Sequence, residues 1–395
     1  MKPFSALTSR ARGSLIRQAR QAGLLPDDRR GIVFLAPHPA ELDAADGFAR
    51  RIRSIDATFK ESPRWYVRTG FVGKPGIHRY ADGSFSIRLP LWHLPLFFAV
   101  LGLILHNKIQ YLHGVWNCAR GIDTLIQYLP DIFRIVDLHG AVPEESRYLG
   151  RSVPRRAILS FVERICVRRA SLIIGVSNKL IEHIAGKYPG LRCRTLAIPV
   201  FSSGASARED SAEIERLFPP DAMNLPGVIY AGSLHAWQLL PRMFAAISGR
   251  LEQARYLVLT PAPPALPPAL SEALSRGGHL RLARAAPEQV AALYKFFQYG
   301  FIIREPSIVN KVACPTKLIE YLEHEIIPIM LSREIGDFAE LGLRYLPLEE
   351  FERGRLLGRE EFDSAVKENK RVLQRLSMMR EQGLSALCAI VRERQ

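Results

Sequence analysis

The sequence lacks the cysteine patterns that staple small secreted domains or bind metal. Its 395 residues include only five cysteines, which are scattered and never spaced as CxxC or as a Cys/His set. This distribution argues against a disulfide framework and a structural zinc site, and it indicates a reducing, cytoplasmic environment. With 48% hydrophobic and 24% charged residues, the chain has the composition of ordinary globular protein.

The sequence also lacks an apolar run long enough to span a bilayer. The stretch LPLWHLPLFFAVLGLIL at 89–105 is interrupted by His93 and Pro95, so its unbroken part is shorter than the roughly 20 residues of a spanning helix. We therefore expect a core helix or one that dips into a membrane. The N-terminal residues are basic but have no apolar signal-peptide core, and they predict either a short basic amphipathic helix or a solvated extension.

Positive charge is abundant, but only in the first half of the chain. Residues 1–200 contain 30 lysines and arginines against 15 acidic residues, whereas residues 201–395 contain 24 of each, for a total of +15. A first half with this excess of positive charge indicates an anionic partner, either a nucleic acid or a membrane surface. Because zinc-finger spacings, RNP-like strands and Gly/Arg runs are absent, we predict an anionic membrane surface and no nucleic acid.

Short apolar runs alternate with helical periodicity, which predicts parallel sheets in an α/β fold. The strand candidates are residues 31–36, 64–68, 84–89, 108–113, 133–139, 171–177 and 194–199, and then 228–231, 256–260, 279–282, 299–303 and 326–331. The small and polar stretch FSSGASARED separates the two series as a linker. We predict domains at 1–205 and 206–358, and a C-terminal helix at 359–395 that packs back on the first domain.

The segment REPSIVNKVACPTKLIEYLEHEIIPIM, from Arg304 to Met330, is the most informative part of the chain. It follows a predicted strand and begins a helix near Pro315. A helix N-terminus with Thr316 and Lys317 beside it is suited to binding a phosphate. Glu320, one turn further on, is placed to accept hydrogen bonds from a ribose diol. From spacing alone, a surface pair between Lys317 and Glu320 explains the same residues.

The part PTKLIEYLEHEIIPI resembles the donor-binding segment of family-4 glycosyltransferases, which have the GT-B fold. In that family a helix carries a glutamate that holds the ribose of a nucleotide-sugar donor, and a buried strand follows; Glu320 and residues 326–329 match this pattern. The resemblance implies two Rossmann-like domains that face a central cleft, retention of anomeric configuration, and no cofactor or catalytic metal. The sequence departs from the family at Val312, where most members have a second glutamate that touches the transferred sugar.

The stretch YAGSLHAWQ resembles the first strand and loop of the donor domain in the same family. Gly232 permits close approach of a ligand, and Ser233 is suited to donating to a phosphate or capping the next helix. The family usually has an arginine and a lysine downstream, which this chain lacks. The positive charge for the diphosphate is therefore expected from Arg304, Lys311 and Lys317.

Candidate catalytic residues follow the predicted strand at 133–139. His139 lies at the strand's carboxyl end, and Glu144 and Glu145 come soon after. A lone histidine at a strand end is more often structural, but the resemblance implies that His139 contacts the donor sugar near the reacting carbon. Either Glu144 or Glu145 is a candidate acceptor for the proton of the attacking hydroxyl, although charge placement at a helix N-terminus explains them equally well.

On the acceptor side the candidates are Asp46, Gly47 and His113. Asp46 and Gly47 begin a helix where the family has a Gly-rich turn, and His113 ends a strand. The predicted activity is transfer of a sugar from a nucleotide-sugar donor to a lipid-linked or saccharide acceptor in surface polysaccharide biosynthesis, at the inner face of the plasma membrane. A nucleotide-sugar 2-epimerase of the same fold and a non-catalytic membrane scaffold are the alternatives.

Overall fold

The computed structural model describes residues 8–26, 29–42, 47–116, 123–201 and 217–395. The chain divides into two compact units, Met1–Pro199 together with Met379–Gln395, and Val200–Met378. This division falls at Val200, beside the predicted boundary at residue 205. The predicted linker lies, apart from Phe201, outside the described residues.

The first unit contains a parallel sheet with one antiparallel edge. Among its described residues the strands are β1 (Ile32–Leu35), β2 (Arg64–Gly70), β3 (Gly76–Arg79), β4 (Phe85–Pro90), β5 (Ile109–His113), β6 (Phe133–Leu138), β7 (Leu172–Gly175) and β8 (Arg194–Ala197). They lie in the order β3-β4-β2-β1-β5-β6-β7-β8, and β3 pairs antiparallel with β4. The helices are α1 (Ser9–Gln21), α2 (Gly47–Thr58), α3 (Leu94–Asn107), α4 (Asp123–Ile126), α5 (Val142–Tyr148), α6 (Val153–Arg169) and α7 (Asn178–Lys187).

The second unit contains a sheet that is parallel throughout. In the part that the structure describes, its strands are β9 (Gly227–Ala231), β10 (Arg255–Leu259), β11 (Leu280–Ala283), β12 (Tyr299–Ile302), β13 (Ile327–Met330) and β14 (Leu346–Pro347). Their order is β11-β10-β9-β12-β13-β14. The helices are α8 (Leu240–Ser248), α9 (Pro268–Ser275), α10 (Pro287–Tyr294), α11 (Ile308–Lys311), α12 (Thr316–Glu323), α13 (Leu348–Glu352) and α14 (Arg359–Arg392).

Each sheet has its own hydrophobic core, and α14 contributes to both cores. Ala365 and Val366, near the start of α14, pack in the core of the second unit, and Leu387 and Val391 pack in that of the first. A β-carbon on Gly383 of α14 would lie 2.8 Å from the carbonyl oxygen of Ala197, so the helix backbone runs close to the end of β8.

All twelve predicted strands are present, with ends that differ by at most two residues. Sequence reasoning missed β3 and β14. All four residues of β3 are exposed, so this edge strand has no apolar pattern, and β14 is only two residues long. The apolar periodicity therefore located the buried strands and failed where a strand lies at the edge or is very short.

The apolar segment at 89–105 forms most of α3, a core helix. Among the described residues, no helix is both long enough and apolar enough to cross a bilayer. The basic N-terminal segment forms α1, so the expectation of a helix is confirmed for residues 9–21. The two helices touch at Gly102, where a β-carbon would come within 2.0 Å of the carbonyl oxygen of Leu15.

Substitution of Gly102 by valine is expected to lower the free energy of unfolding by about 1–3 kcal/mol, because its side chain would displace the backbone of α1. The matched control is Gly13→Ala in α1, where a β-carbon meets nothing within 4 Å. Alanine there should raise the stability by about 0.5–1 kcal/mol. Urea unfolding of both variants measures the two effects, and equal stability of Gly102→Val and wild type would show that the helices do not pack at this glycine.

Candidate functional site

The second sheet changes direction of winding between β9 and β12. From β9, the strands β10 and β11 lie to one side and β12 to β14 to the other. In doubly wound sheets, ligands bind at the carboxyl ends of the strands at such a switch point. Gly232 directly follows β9, and Arg304 follows β12 by two residues. The predicted donor-binding residues on both strands therefore lie at the edge where the topology places a ligand.

Lys317, the second residue of α12, extends its side chain to this edge. The residue is buried, and its ammonium makes no hydrogen bond with any described residue. The Nζ atom lies 3.8 Å from the centroid of the Tyr230 ring. It also lies against Gly232, where a β-carbon would come within 1.9 Å of Nζ. A side chain at position 232 would therefore have to displace the end of the lysine side chain.

Arg304 is a second cation at this edge and is partly buried. Its Nε has no hydrogen-bond partner among the described residues, and its nearest polar contact is a long one, 3.4 Å from a guanidinium nitrogen to Oδ1 of Asn310. Burial lowers the pKa of Arg304 to about 10. Burial, and then the charge of Arg304, hold the pKa of Lys317 well below its ordinary range, with Glu320 opposing them.

Neither Lys317 nor Arg304 forms an ion pair with a carboxylate of the described residues. Buried charges without a partner are costly, and they are uncommon except where a ligand supplies the opposite charge. Two cations side by side match an anion with more than one charge. The arrangement is therefore suited to binding a diphosphate.

Glu320 lies further along α12 and is partly exposed. Its Oε2 accepts a hydrogen bond from the hydroxyl of Tyr294 at 3.1 Å, which fixes the orientation of the carboxylate. Pro315 is the N-cap and Thr316 the first residue of α12, and no side chain caps this end of the helix. Amide groups at the helix N-terminus are thus available beside Lys317.

Two of the predicted donor-binding residues, Lys311 and Ser233, make contacts with other residues of the protein. Lys311 is exposed and its Nζ forms an ion pair with Glu334 at 2.9 Å. The carbonyl of Ser233 accepts a hydrogen bond from the Tyr230 hydroxyl at 2.7 Å. The expectation that Ser233 caps the next helix is wrong, because α8 begins at Leu240 with Leu239 as its N-cap.

In the first unit, Asp137 near the end of β6 is the centre of a buried polar network. Its carboxylate accepts hydrogen bonds from Nε and a terminal nitrogen of Arg51 at 2.9 and 2.7 Å, and another from the Tyr111 hydroxyl. Burial alone would raise the pKa of Asp137, but Arg51, and then His139, hold it well below its ordinary value. Asp137 is therefore ionised at neutral pH.

This ionised carboxylate orients His139. The Nε2 of His139 lies 2.9 Å from Asp137 Oδ2, and because the carboxylate only accepts, Nε2 carries the proton. The other ring nitrogen, Nδ1, lies 3.6 Å from the β-carbon position of Gly114. Asp137 thus sets the tautomer of the predicted catalytic histidine.

The three acceptor-side candidates differ in their placement. Asp46 lies outside the described residues, and Gly47 is the exposed first residue of α2. His113 is fully buried and donates through Nε2 to the carbonyl of Phe48 at 3.2 Å. Burial, and then His139, lower the pKa of His113 to about 4, so the ring is neutral at physiological pH.

The ligating atoms of His113, Asp137 and His139 lie within 4.8 Å of one another, which is close enough to hold a metal ion. However, both oxygens of Asp137 already accept hydrogen bonds from Arg51. A cation there would lie beside a guanidinium and would have to break a buried ion pair. The donor set therefore fits a closed hydrogen-bond network better than a metal site.

Glu144 is held by an ion pair. Its Oε1 lies 2.7 Å from Nζ of Lys187, which also contacts the buried Glu163. Burial alone would raise the pKa of Glu144, but hydrogen bonds from His183 and Lys187 lower it to about 2. A carboxylate with so low a pKa is a weak base, so Glu144 is suited to a structural role.

The pKa of Glu145 is shifted in the opposite direction to that of Glu144. Burial, and then the neighbouring Glu144 and Glu163, raise the pKa of Glu145 to about 7. Its Oε1 lies against Gly140, where a β-carbon would be 2.2 Å away. No ion pair with another described residue lowers its pKa. Of the two glutamates that the sequence left as alternatives, Glu145 therefore has the pKa suited to proton transfer at neutral pH.

Sequence reasoning missed Arg51, Tyr230 and Tyr294. Arg51 lies among the arginines of a basic helix, and nothing in its spacing distinguishes it from exposed neighbours. Tyr230 and Tyr294 read as core residues, and their ring or hydroxyl contacts to Lys317 and Glu320 join segments far apart in the chain. The only available signal was the polar Asp137 inside an apolar strand, which required a buried partner.

Comparison with known proteins supports the architecture. The chain is similar to sucrose-phosphate synthase from Thermosynechococcus elongatus, with 13% identity, 92% of this chain and 99% of that chain covered, and a TM-score of 0.63. It is similar to Anabaena HepE in complex with UDP and glucose, with 13% identity, coverage of 91% and 99%, and a TM-score of 0.61. It is also similar to α,α-trehalose 6-phosphate synthase from Burkholderia multivorans, with 13% identity, coverage of 92% and 97%, and a TM-score of 0.59.

No protein-family model matches the sequence, and no curated protein matches it either. The similarities are confined to structure, and they establish that the chain has the GT-B fold. The predicted fold is thereby confirmed. Membership of family 4 in particular stays a prediction, because these structures do not point to that family.

Glu145 is expected to make the stability of the protein depend on pH. Its pKa is raised from 4.5 to about 7, so the stabilisation is complete below pH 4.5 and is lost as the pH rises through 7. Glu145→Gln should therefore flatten the pH dependence of the free energy of unfolding between pH 4.5 and 7.5, and should stabilise the protein at pH 8 by on the order of 2 kcal/mol.

The control is Glu144→Gln, measured by urea unfolding over the same pH range. The pKa of Glu144 is lowered to about 2, so its stabilising effect is present above pH 4.5 and is lost only as the pH falls toward 2. This variant should be destabilised throughout pH 4.5 to 7.5, and its pH dependence should persist in weakened form, because loss of the Glu144 charge lowers the pKa of Glu145 but leaves the burial of Glu145 in place. An unchanged pH profile for Glu145→Gln would show that Glu145 titrates at an ordinary pKa.

Proposed function

We propose that the protein is a glycosyltransferase that uses a nucleotide-sugar donor bound by its second unit. The observation that carries the proposal is a pair of basic residues without carboxylate partners at the switch point of the sheet: the buried Lys317, which lies against Gly232, and the partly buried Arg304. The pair matches the two phosphates of the donor, and Glu320 provides the carboxylate for its ribose. Similar structures include one in complex with UDP and glucose and one bound with UDP-2-fluoro glucose, which favours a uridine donor.

In the proposed reaction, Lys317 and Arg304 also stabilise the leaving group. When the bond between sugar and diphosphate breaks, negative charge develops on the departing phosphate oxygens. Lys317 is buried and Arg304 is partly buried, and in such surroundings charge stabilises charge more strongly than in water. We therefore propose a reaction that needs no metal ion or cofactor, and that proceeds with retention of configuration.

The proposed acceptor side is the first unit, with Glu145 and His139 as catalytic residues. Glu145, whose pKa is about 7, would take the proton of the attacking hydroxyl. His139 is held by Asp137 so that Nδ1 accepts a hydrogen bond from a substrate hydroxyl. Asp137 and Arg51 are positioning residues, because they act on the substrate only through His139.

We further propose that the first unit attaches to the cytoplasmic face of the plasma membrane and receives a lipid-linked acceptor for surface polysaccharide synthesis. Support comes from α6, which exposes the apolar side chains of Ile158 and Phe161 together with arginines. Arg155 at the start of α6 stacks on the ring of Trp116, 4.8 Å from its centroid. A helix that exposes apolar and cationic side chains together is suited to an anionic bilayer surface.

Calorimetric titration with UDP, GDP, dTDP and CMP tests the donor site. We expect one nucleotide, UDP, to bind wild type and to bind Glu320→Ala about tenfold or more weakly, the loss expected for hydrogen bonds to a charged group. Lys317→Met should weaken UDP binding but leave uridine binding unchanged, because the lysine faces the diphosphate.

Lys311→Ala is the matched control, because Lys311 is exposed and already paired with Glu334. This variant should bind UDP as wild type does. If no nucleotide binds wild type, the glycosyltransferase proposal is overturned and a non-catalytic scaffold is favoured. If UDP-sugar is bound and isomerised without any acceptor, a 2-epimerase is favoured.

Liposome flotation tests the membrane proposal. Replacing Arg155, Arg156, Arg168 and Arg169 by glutamate should release the protein from acidic liposomes, because eight units of charge change in a region that would face the lipid. The contribution of about 1 kcal/mol for each basic residue near an anionic surface predicts a loss of two orders of magnitude or more. Unchanged flotation of the fourfold variant would exclude α6 as the attachment surface.

A further inference from the structure

A cavity of about 560 Å³ opens at the carboxyl ends of β1, β2 and β4 in the first unit. Its lining includes Arg68 from β2 and Arg88 from β4. These residues are Cα partners in the parallel pairing of the two strands, so they lie side by side. Both arginines are exposed. The cavity is therefore walled on one side by two neighbouring guanidinium groups.

Nothing in the described part of the chain neutralises this pair. Neither Arg68 nor Arg88 makes an ion pair or hydrogen bond with a described residue. Like charges opposite one another on neighbouring strands are destabilising, so the pair costs stability in the free protein. On the far side of Arg88 the register partner is Gly76, where a β-carbon would meet nothing within 4 Å. The sheet thus leaves the two guanidinium groups accessible to a ligand.

Exposed apolar side chains accompany this cavity: Phe71 and Val72 line it, and Trp92 and Leu94 closely follow its lining residue Pro90 in the chain. The loops that follow β2 and β4 are held together by a hydrogen bond of 2.9 Å from the amide of Leu91 to the carbonyl of Gly70. The apolar side chains exposed on these loops and at the first residue of α3, which we call the apolar rim, are Phe71 (70% exposed), Val72 (86%), Trp92 (60%) and Leu94 (58%). Exposed apolar side chains grouped in this way mark a binding surface rather than ordinary protein surface.

A ligand that satisfies both features carries a phosphate and an apolar chain. Arginine binds phosphate through paired N–H donors, and two arginines side by side present such donors from adjacent strands. A free sugar phosphate would use the arginines but leave the rim exposed. A neutral glycolipid would use the rim but leave the two charges without a partner.

We propose that this cavity binds the phosphate of an amphiphilic acceptor, with Arg68 and Arg88 on the phosphate and the apolar rim on the lipid chain. The inference rests on the proposed function, since it names the chemical class of the acceptor of that reaction: a lipid phosphate. It does not depend on the donor site, which lies in the other unit.

Titration calorimetry with three soluble probes tests this inference: decyl phosphate below its micelle concentration, glucose 6-phosphate, and decyl glucoside. Wild type should bind decyl phosphate most tightly. Arg68→Gln and Arg88→Gln should each weaken its binding about tenfold or more, as expected for the loss of hydrogen bonds to a charged group. Decyl glucoside should bind weakly and be insensitive to both variants. The double variant Phe71→Ser/Val72→Ser should bind decyl phosphate more weakly than wild type, but its binding of glucose 6-phosphate should be unchanged.

The matched control is Lys60→Gln, which removes one positive charge from the same unit. Lys60 is exposed and precedes β2, so it lies toward the amino ends of the strands, opposite to the cavity. It should bind decyl phosphate as wild type does. Circular dichroism of each variant verifies that the fold is retained.

Unchanged binding of decyl phosphate to the double variant of Arg68 and Arg88 would overturn the proposal. Equal affinity of wild type for glucose 6-phosphate and decyl phosphate would overturn its lipid component and favour a soluble phosphorylated sugar. UDP titration of the same proteins separates the two proposals. If UDP binds and decyl phosphate does not, only the acceptor inference fails; if decyl phosphate binds and UDP does not, only the donor proposal fails.

Discussion

The ion pair between Arg51 and Asp137 is the constraint on which the first unit depends. Arg51 is on α2 and Asp137 is on β6, and the guanidinium also donates to the carbonyl of Ile198 just beyond β8. One side chain thus ties a helix to two strands of the sheet. A buried pair of this kind contributes little net stability, but loss of either partner leaves a buried charge and costs about 3–5 kcal/mol. Its benefit here is positional, because the ionised Asp137 sets the tautomer of His139.

In the second unit, basic side chains lack the carboxylate partner that Arg51 has in the first unit. Lys317 is buried like Arg51 and Arg304 is partly buried, but no carboxylate of the described chain forms an ion pair with either of them. Tyr230 provides only the face of its ring to the ammonium. A protein folds with such a defect only if the rest of the unit is stable enough to tolerate it, and the all-parallel sheet with its apolar core supplies that stability. The Arg51–Asp137 ion pair is suited to a structural role, whereas two basic residues without a carboxylate partner are suited to binding an anionic ligand.

Much of the fold was predictable from sequence, but less of the site. Buried parallel strands are continuous apolar runs, so their positions follow from local pattern. Glu320 and Lys317 were found because they share one short helix with a recognisable motif. The contact of Lys317 with Tyr230 was not found, because Tyr230 lies almost ninety residues earlier in the chain. The two residues are brought together only by the arrangement of strands in the sheet. Arg68 and Arg88 were missed for the same reason: their proximity depends on strand register, which no local pattern encodes.

The departures from the family-4 pattern have a physical explanation in this geometry. Where the family carries cationic residues after the first strand of the donor domain, this chain has His235 and Trp237, whose rings stack on each other with centroids 4.5 Å apart. The ammonium of Lys317 instead reaches the turn after β9 from α12, and it occupies the space that any side chain at position 232 would need. Val312, which replaces the usual glutamate, is fully buried and packs as a core residue.

Compared with the family-4 pattern, the positive charge at the proposed anion site thus comes from a helix instead of a loop, at the same switch point of the sheet. A site defined by sheet topology tolerates such an exchange, because the topology determines where the ligand lies and several elements are close enough to supply the charge.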